Sequence, residues 1–341
     1  MRARGVSYST GFVLRNVNSR PSFDPSIVQR ELQIIRDDLH CTAVRIMGGD
    51  AQRIEVATQF AAELGLEVWV SPYPLELDEL DSLKLIVDCA RSAERLRKSG
   101  VPVVLVAGAE LSLMNPGFLP GESLDERVSF LQRPGEASRA IPQASDRVNQ
   151  FLRTVVAAVR DVFAGQLTYA STPLENVDWA PFDFISVDLY RSAGIADQFV
   201  AGVRRLAGMP KPVAITEFGA ATYKGAADLG ALGLQIVEYD ETTGWPVRLK
   251  KRVERDEQGQ AAHVLELLRL FDEQGIDSAF VFTFALYDFP HHPDADPVED
   301  LDLASYGLVR PLVDRASTTH PDMPWEAKEA FNALAAYYGR L

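Results

Sequence analysis

Val103-Val104-Leu105-Val106-Ala107-Gly108-Ala109-Glu110 carries no polar side chain until its last residue. A strand with one wet face alternates apolar and polar residues, because successive side chains point to opposite sides. An unbroken apolar run therefore belongs to a strand buried on both faces, as in a parallel sheet covered by crossover helices. Lys211-Pro212-Val213-Ala214-Ile215-Thr216-Glu217-Phe218-Gly219 repeats the pattern and puts a second glutamate at the carboxyl end of an apolar strand. Each carboxylate must either be buried or open into a cavity at the strand ends.

The same kind of run recurs along the whole chain. Strands are predicted at 6–10, 42–47, 67–71, 103–107, 167–171, 184–189, 213–216 and 279–284, separated by helical patterns with one apolar stripe at 25–39, 51–64, 82–99, 146–163, 196–206, 260–274 and 325–338. Only the fifth connection, 173–183, lacks a convincing long helix. Strand–helix alternation of this kind builds a parallel sheet, open or closed. An open doubly wound sheet announces itself with a glycine-rich phosphate turn after its first strand, and none is present. The expectation is an α/β fold, a (β/α)8 barrel forming a single domain over residues 1–341, with long insertions at 111–145 after strand four and 220–259 after strand seven. In the second insertion, Ile236-Val237-Glu238-Tyr239 and Pro246-Val247-Arg248-Leu249 flank Asp240-Glu241-Thr242-Thr243-Gly244 as a hairpin. Both insertions fall on the face where barrel active sites are assembled, and loops of this length act as lids or binding elements.

Composition narrows the function. Of the 341 residues, 47% are hydrophobic and 24% charged, a balance that supports a large buried core. A net charge of −14 opposes phosphate backbones and anionic lipid, which argues against nucleic acid and membrane partners. Met1-Arg2-Ala3-Arg4-Gly5 runs into Val6-Ser7-Tyr8-Ser9-Thr10 rather than an apolar stretch, so it does not read as an export signal. Cys41 and Cys89 make neither a disulfide framework nor a metal-type spacing, and the cytoplasm is the expected compartment. His291-His292 with Asp294 and Asp296 lie in a proline-rich run without the spacing of a zinc site, so no metal is expected. Oligomeric state leaves no trace in the pattern.

Glu110 follows the fourth predicted strand and Glu217 the seventh. In this the chain resembles the glycoside hydrolases of clan A, whose barrels carry the acid/base glutamate after strand four and the nucleophile glutamate after strand seven. Ile215-Thr216-Glu217-Phe218-Gly219 is the most specific part of the likeness; Arg45 at the end of strand two, Tyr190 after strand six and the aromatic end of strand eight, Phe282-Thr283-Phe284, add to it. The resemblance implies a retaining O-glycoside hydrolase, with Glu217 as nucleophile, Glu110 as acid/base, a carbohydrate or glycoside as substrate, and no metal or organic cofactor; the two long loops, by narrowing the mouth into a pocket, point to a small or medium-sized substrate. It also has a departure. In much of the clan an asparagine that contacts the sugar 2-hydroxyl precedes the acid/base residue, and here that position is Ala109.

Such chemistry needs one carboxylate ionised and the other protonated, about 5 Å apart for retention. Arg45 beside Glu217 would favour the charged form there, and Tyr190 would donate a hydrogen bond to it. Glu110 has no cation near it in sequence. Asp188, two residues before Tyr190 and on the same side of its strand, is a candidate third carboxylate. Trp179, Tyr287, Tyr73 and Tyr8 are candidates to stack on a sugar ring, though an aromatic residue at such a position is more often core or rim packing than a ligand platform. Two other functions use the same residues: acid/base chemistry on a non-sugar substrate, or a non-catalytic barrel that binds.

Overall fold

The computed structural model describes residues 1–313 and 315–340. Eight parallel strands close on themselves: β1 (Ala3–Ser9), β2 (Ala43–Gly48), β3 (Glu67–Pro72), β4 (Val103–Ala109), β5 (Gln166–Ser171), β6 (Ile185–Asp188), β7 (Val213–Phe218) and β8 (Ser278–Val281), the last pairing back to β1. Long helices follow seven of them: α1 (Pro25–Asp37), α2 (Ala51–Glu63), α3 (Glu79–Lys98), α4 (Pro134–Arg160), α5 (Ala196–Ala207), α6 (Glu257–Glu273) and α7 (Glu329–Tyr338). The connection from β5 to β6 carries no helix, as its sequence predicts. The expected (β/α)8 barrel is the fold observed.

Local chemistry starts the helices. Asp24, Asp50, Asp78 and Asp256 each sit at a helix N-cap, where a carboxylate accepts backbone N–H bonds that the first turn leaves unmade. A cap of this kind contributes about 1 kcal/mol. Side chains pointing outward from the strands meet the helices in one apolar layer that includes Leu32, Ile54, Ile86, Val155 and Leu267. Side chains pointing inward fill the barrel: Trp69 packs between Phe184 and Phe280, with ring centroids 5.1 and 4.9 Å away. Gly5 faces this filling, and a Cβ there would lie 2.5 Å from the Phe280 ring. Its missing side chain is what admits the phenylalanine.

Several boundaries differ from the sequence pattern. Strand β1 begins at Ala3, so Arg4 lies within it; its charged end reaches past the core to the Tyr338 ring, 6.0 Å away. Strand β8 stops at Val281. Helix α4 starts at Pro134 rather than near Asp146 and carries Pro142 inside it, because Ala137 and Ala144 bury a face that the Pro, Gly and Ser content disguises. The rest of that insertion forms the short helices Leu111–Met114 and Leu124–Leu131. At the far end, Trp325–Ala327 is a strand antiparallel to Val309–Pro311 and not the start of the last helix. Trp325 is buried against Phe284 and donates its indole N–H to Glu31 (2.9 Å), which holds the segment extended.

The insertion after β7 forms the expected hairpin, Val237–Tyr239 against Pro246–Leu249. Its turn reaches the loop after β1, where the Arg15 side chain donates to the Glu241 carbonyl. A third apolar cluster, built on Tyr223, Ile236, Leu286 and Tyr306, lies beneath it.

The barrel filling makes a direct prediction. Trp69→Ala should lower unfolding stability by about 3–5 kcal/mol in denaturant titration, with Trp69→Phe losing much less. Equal stability of the alanine variant would show that the interior is not packed on this ring.

Candidate active site

Strand β7 breaks its alternation where it matters. Ile215 and Phe218 both pack in the outer layer, so Thr216 and Glu217 lie between two outward residues. The register with β6 records the extra residue: Val187 pairs with Ile215, yet the next residue, Asp188, pairs with Glu217. This is a β-bulge, and it turns Glu217 inward. Gly219 follows at φ 155°, where a Cβ would meet the Phe282 carbonyl at 2.7 Å.

Glu217 is 5% exposed and held at both oxygens. Arg45 Nη1 donates to Oε1 at 2.8 Å and the Tyr190 hydroxyl donates to Oε2 at 3.1 Å. Arg45 reaches there from β2 through the middle of the barrel. It is fully buried, donates from Nε to Ser71 Oγ (3.0 Å) and from Nη1 to the Thr216 carbonyl (3.0 Å), and lies 3.8 Å from Asp188 Oδ1. Loss of Arg45 alone would leave buried carboxylates uncompensated, at a cost of about 3–5 kcal/mol.

Glu110 arrives by a different irregularity. Strand β4 shifts register between Val106 and Ala109, with Gly108 at φ 95°. Glu110 then adopts the left-handed conformation, φ 45° and ψ 42°, at the head of the Leu111–Met114 turn. For a residue with a side chain this costs of order 1–3 kcal/mol and persists only where the surroundings enforce it. Its own N–H donates to the Ala170 carbonyl of β5 at 2.8 Å.

Glu110, Asp188 and Glu217 thus share the end of the barrel with Arg45 as the cation that acts on all three. Burial is the largest influence on each and raises proton affinity. For Glu110 the charges of Asp188, Glu217 and Glu175 add to it. For Asp188 the charge of Glu217 adds, while Arg45 opposes. Glu217 is raised as well, but by less, because Arg45 and the Tyr190 hydrogen bond oppose burial and no neighbouring carboxylate adds to it. Glu217 is therefore the first of the three to ionise, and Glu110 and Asp188 hold their protons well above the usual carboxylate range.

Of the remaining sequence candidates, Tyr73 joins the site. Burial, followed by the charges of Glu217, Glu110 and Asp188, keeps its hydroxyl protonated. Three aromatic candidates lie elsewhere. Tyr8 is on the outer face of β1, and Tyr8 and Tyr287 both donate to Glu31, the buried partner of Arg20 (2.9 Å). These tyrosines serve an ion pair behind the barrel wall, because strand alternation sends Ser7 and Ser9 inward instead. Trp179 lies at the opposite end of the barrel: its carbonyl accepts from Lys211, just ahead of β7, and its ring packs on Phe182, just ahead of β6. His291 is occupied by Asp300 (3.0 Å) and Arg255, and among the described residues no group of three or more His, Cys, Asp or Glu side chains is placed to hold a metal ion.

The sequence reading missed Phe12, whose ring meets Tyr73 edge-on at 5.0 Å, and Tyr306, which does the same to Tyr190 at 5.9 Å. Phe12 follows the first strand just as Tyr190 follows the sixth, so the same rule of strand-end aromatics would have found it. Tyr306 stands in a loop with no such signal.

The proton held by Glu110 links stability to pH. A carboxyl with higher affinity folded than unfolded gives its full contribution below its unfolded pKa, about 4.3, and loses it as pH rises toward the folded value. Glu110→Gln removes that loss, so it should raise the melting temperature at pH 7 and do so less at pH 4. Calorimetry at the two pH values checks this, and an equal change at both would contradict the ordering above.

No protein-family model matches this sequence, and no curated protein sequence matches it either. Solved structures do match its fold. A complex structure described as GH113 beta-1,4-mannanase superposes with a TM-score of 0.62 over 100% of both chains at 14% identity. The GH113 beta-mannanase from Alicyclobacillus acidocaldarius gives 0.61 at 14% identity, covering 99% of this chain and 97% of that one. A Bacteroides uniformis beta-glucuronidase gives 0.57 at 11% identity, and there this chain spans 35% of the larger protein. This protein has the barrel fold that these glycosidases share.

Proposed function

We propose that this protein is a retaining glycoside hydrolase in which residues 1–341 work as one catalytic domain. The observation that carries this is the asymmetry of the two strand-end glutamates: Glu217 is clamped by Arg45 and Tyr190, while Glu110 faces other carboxyls. In the first step the ionised Glu217 attacks the anomeric carbon while Glu110 gives its proton to the leaving oxygen. The glycosidic C–O bond breaks and a glycosyl ester to Glu217 forms. In the second, Glu110 takes a proton from water, the oxygen attacks the same carbon, and the ester bond breaks to restore both residues.

The substrate in this reading is a neutral glycoside bound in a pocket narrowed by the two long insertions, with a β-linked mannoside first in line because β-mannanases match the whole chain. Charge argues against a uronide. Arg45 is already engaged by Glu217, so a uronate at this end of the barrel would meet the ionised Glu217 without gaining that cation for itself. A cytoplasmic setting is supported by Cys41 and Cys89, both buried and unpaired.

Ala109 favours a second reading. It packs inside the barrel with no amide to hold a sugar 2-hydroxyl, which suits acid/base chemistry on a non-sugar compound. Covalent capture separates the two, since only the glycosidase forms an ester at Glu217.

A cyclophellitol-type probe should attach to Glu217, read by peptide mass spectrometry. Glu217→Gly should lose about 10⁴-fold or more in kcat and, with azide, yield a glycosyl azide of inverted configuration. Nitrophenyl β-mannoside should exceed the glucuronide in kcat/KM by about 100-fold. The pH profile should be a bell with both limbs above the free-carboxylate range, the acid limb set by Glu217 and the alkaline limb by Glu110. No labelling and full hydrolysis by Glu217→Gly would refute the mechanism.

A further inference from the structure

Two side chains grip the backbone next to Glu110. The Leu111 N–H donates to the Tyr169 hydroxyl at 2.7 Å, and the Ser112 N–H donates to Glu175 Oε1 at 2.9 Å. Tyr169 in turn donates to Glu175 Oε2 at 2.8 Å, and the Thr172 N–H reaches the same oxygen at 3.2 Å. Tyr169 belongs to β5 and points into the outer layer, while Glu175 lies in the helix-less connection that follows.

Leu111 and Ser112 are buried at the start of a four-residue turn. Their amides have no helical partner, and a turn this short cannot hold itself. The Tyr169–Glu175 pair satisfies both amides directly after the left-handed residue, so it over-determines a backbone conformation that Glu110 would otherwise leave. Burial raises the proton affinity of Glu175, and the hydrogen bonds donated by Ser112, Tyr169 and Thr172 oppose it and favour the ionised carboxylate.

We propose that Glu175, working through Tyr169, is a positioning residue that locks Glu110 in its left-handed turn and faces it with a further buried negative charge. The proposal rests on Glu110 being the acid/base residue of the reaction described above. Glu110 is faced by Asp188 from β6, Glu217 from β7, Arg45 from β2 and the hydroxyls of Tyr73, Tyr169 and Tyr190, with Glu175 behind. Burial and its neighbours' negative charges already raise the proton affinity of Glu110, and Glu175 is one of those charges. Removing it must move Glu110 toward easier ionisation. Removing the Tyr169 hydroxyl must loosen the geometry and leave the charge in place.

Carbon-13 NMR of glutamate-labelled protein, with the Glu110 signal identified by its loss in Glu110→Gln, reads the proton directly. In Glu175→Gln the Glu110 signal should titrate at lower pH than in the unmodified protein, and the alkaline limb of kcat on an aryl glycoside should shift the same way. In Tyr169→Phe the titration should stay near its original pH, while kcat falls about 10- to 100-fold with KM little changed. An unchanged Glu110 titration in Glu175→Gln, with near-ultraviolet circular dichroism intact, overturns the charge role. Full kcat in Tyr169→Phe overturns the positioning role, and this variant carries the test if Glu175→Gln does not fold. If no glycoside is turned over at all, the glycosidase reading fails, and the NMR titration still decides on Glu175.

Discussion

The Arg45–Glu217 ion pair organises the upper half of this barrel. Taking a guanidinium and a carboxylate out of water costs several kcal/mol each, and their attraction repays that only with good geometry and further hydrogen bonds. Here Ser71 Oγ and the Thr216 carbonyl supply those bonds, and Tyr190 supplies one to the other side of the pair. The cation also explains why three carboxyls can coexist in so small a space. Only Glu217 accepts a hydrogen bond from it, with Asp188 3.8 Å away, so the proton affinities of like groups separate.

The backbone does as much as the side chains. Glu110 and Glu217 each leave a regular strand through an irregularity: a register shift with a positive-φ glycine in β4, and a bulge in β7. A regular β7 would have sent Glu217 into the helix layer, where Phe218 packs on Phe271. Irregularities of this kind weaken the ladder locally and are retained where they aim a functional group. The price is a strained cluster of carboxyls at one end of an otherwise well-filled cylinder. The opposite end is conventional, with Arg2 paired to Asp277 and Glu67 across the strand starts.

Polar clusters away from the candidate site are built from side chains that pair with one another. Glu31, fully buried, accepts from Arg20, Tyr8, Tyr287 and Trp325, and so ties α1 to segments following β1 and β8. Lys328 and Asp302, both fully buried, pair at 2.7 Å and join the C-terminal segment to the loop after β8. Such clusters look like sites in a list of residues. In three dimensions most of their donors and acceptors are spent on one another, which leaves little to offer a ligand.

The amino-acid order was sufficient for the barrel and for its two strand-end glutamates, because burial on both faces writes continuous apolar runs and a carboxylate ending one of them has few places to go. It also sufficed to place Arg45, Tyr190, Asp188 and Tyr73 at the same end of the barrel, because they sit at or near strand ends and inherit their position from the topology. Which face an aromatic residue takes was beyond it. Tyr8 and Tyr287 went to the ion pair behind the wall and Trp179 to the far end, since a one-residue change of phase moves a side chain from pocket to helix layer. Glu175 and Tyr169 were equally out of reach, for their relation to Glu110 runs through backbone amides and a connection without periodicity. What folding alone decided was the phase of each strand at its last residues and the sharing of one buried cation among several acids. Both depend on distances between segments far apart in the chain, which local patterning does not encode.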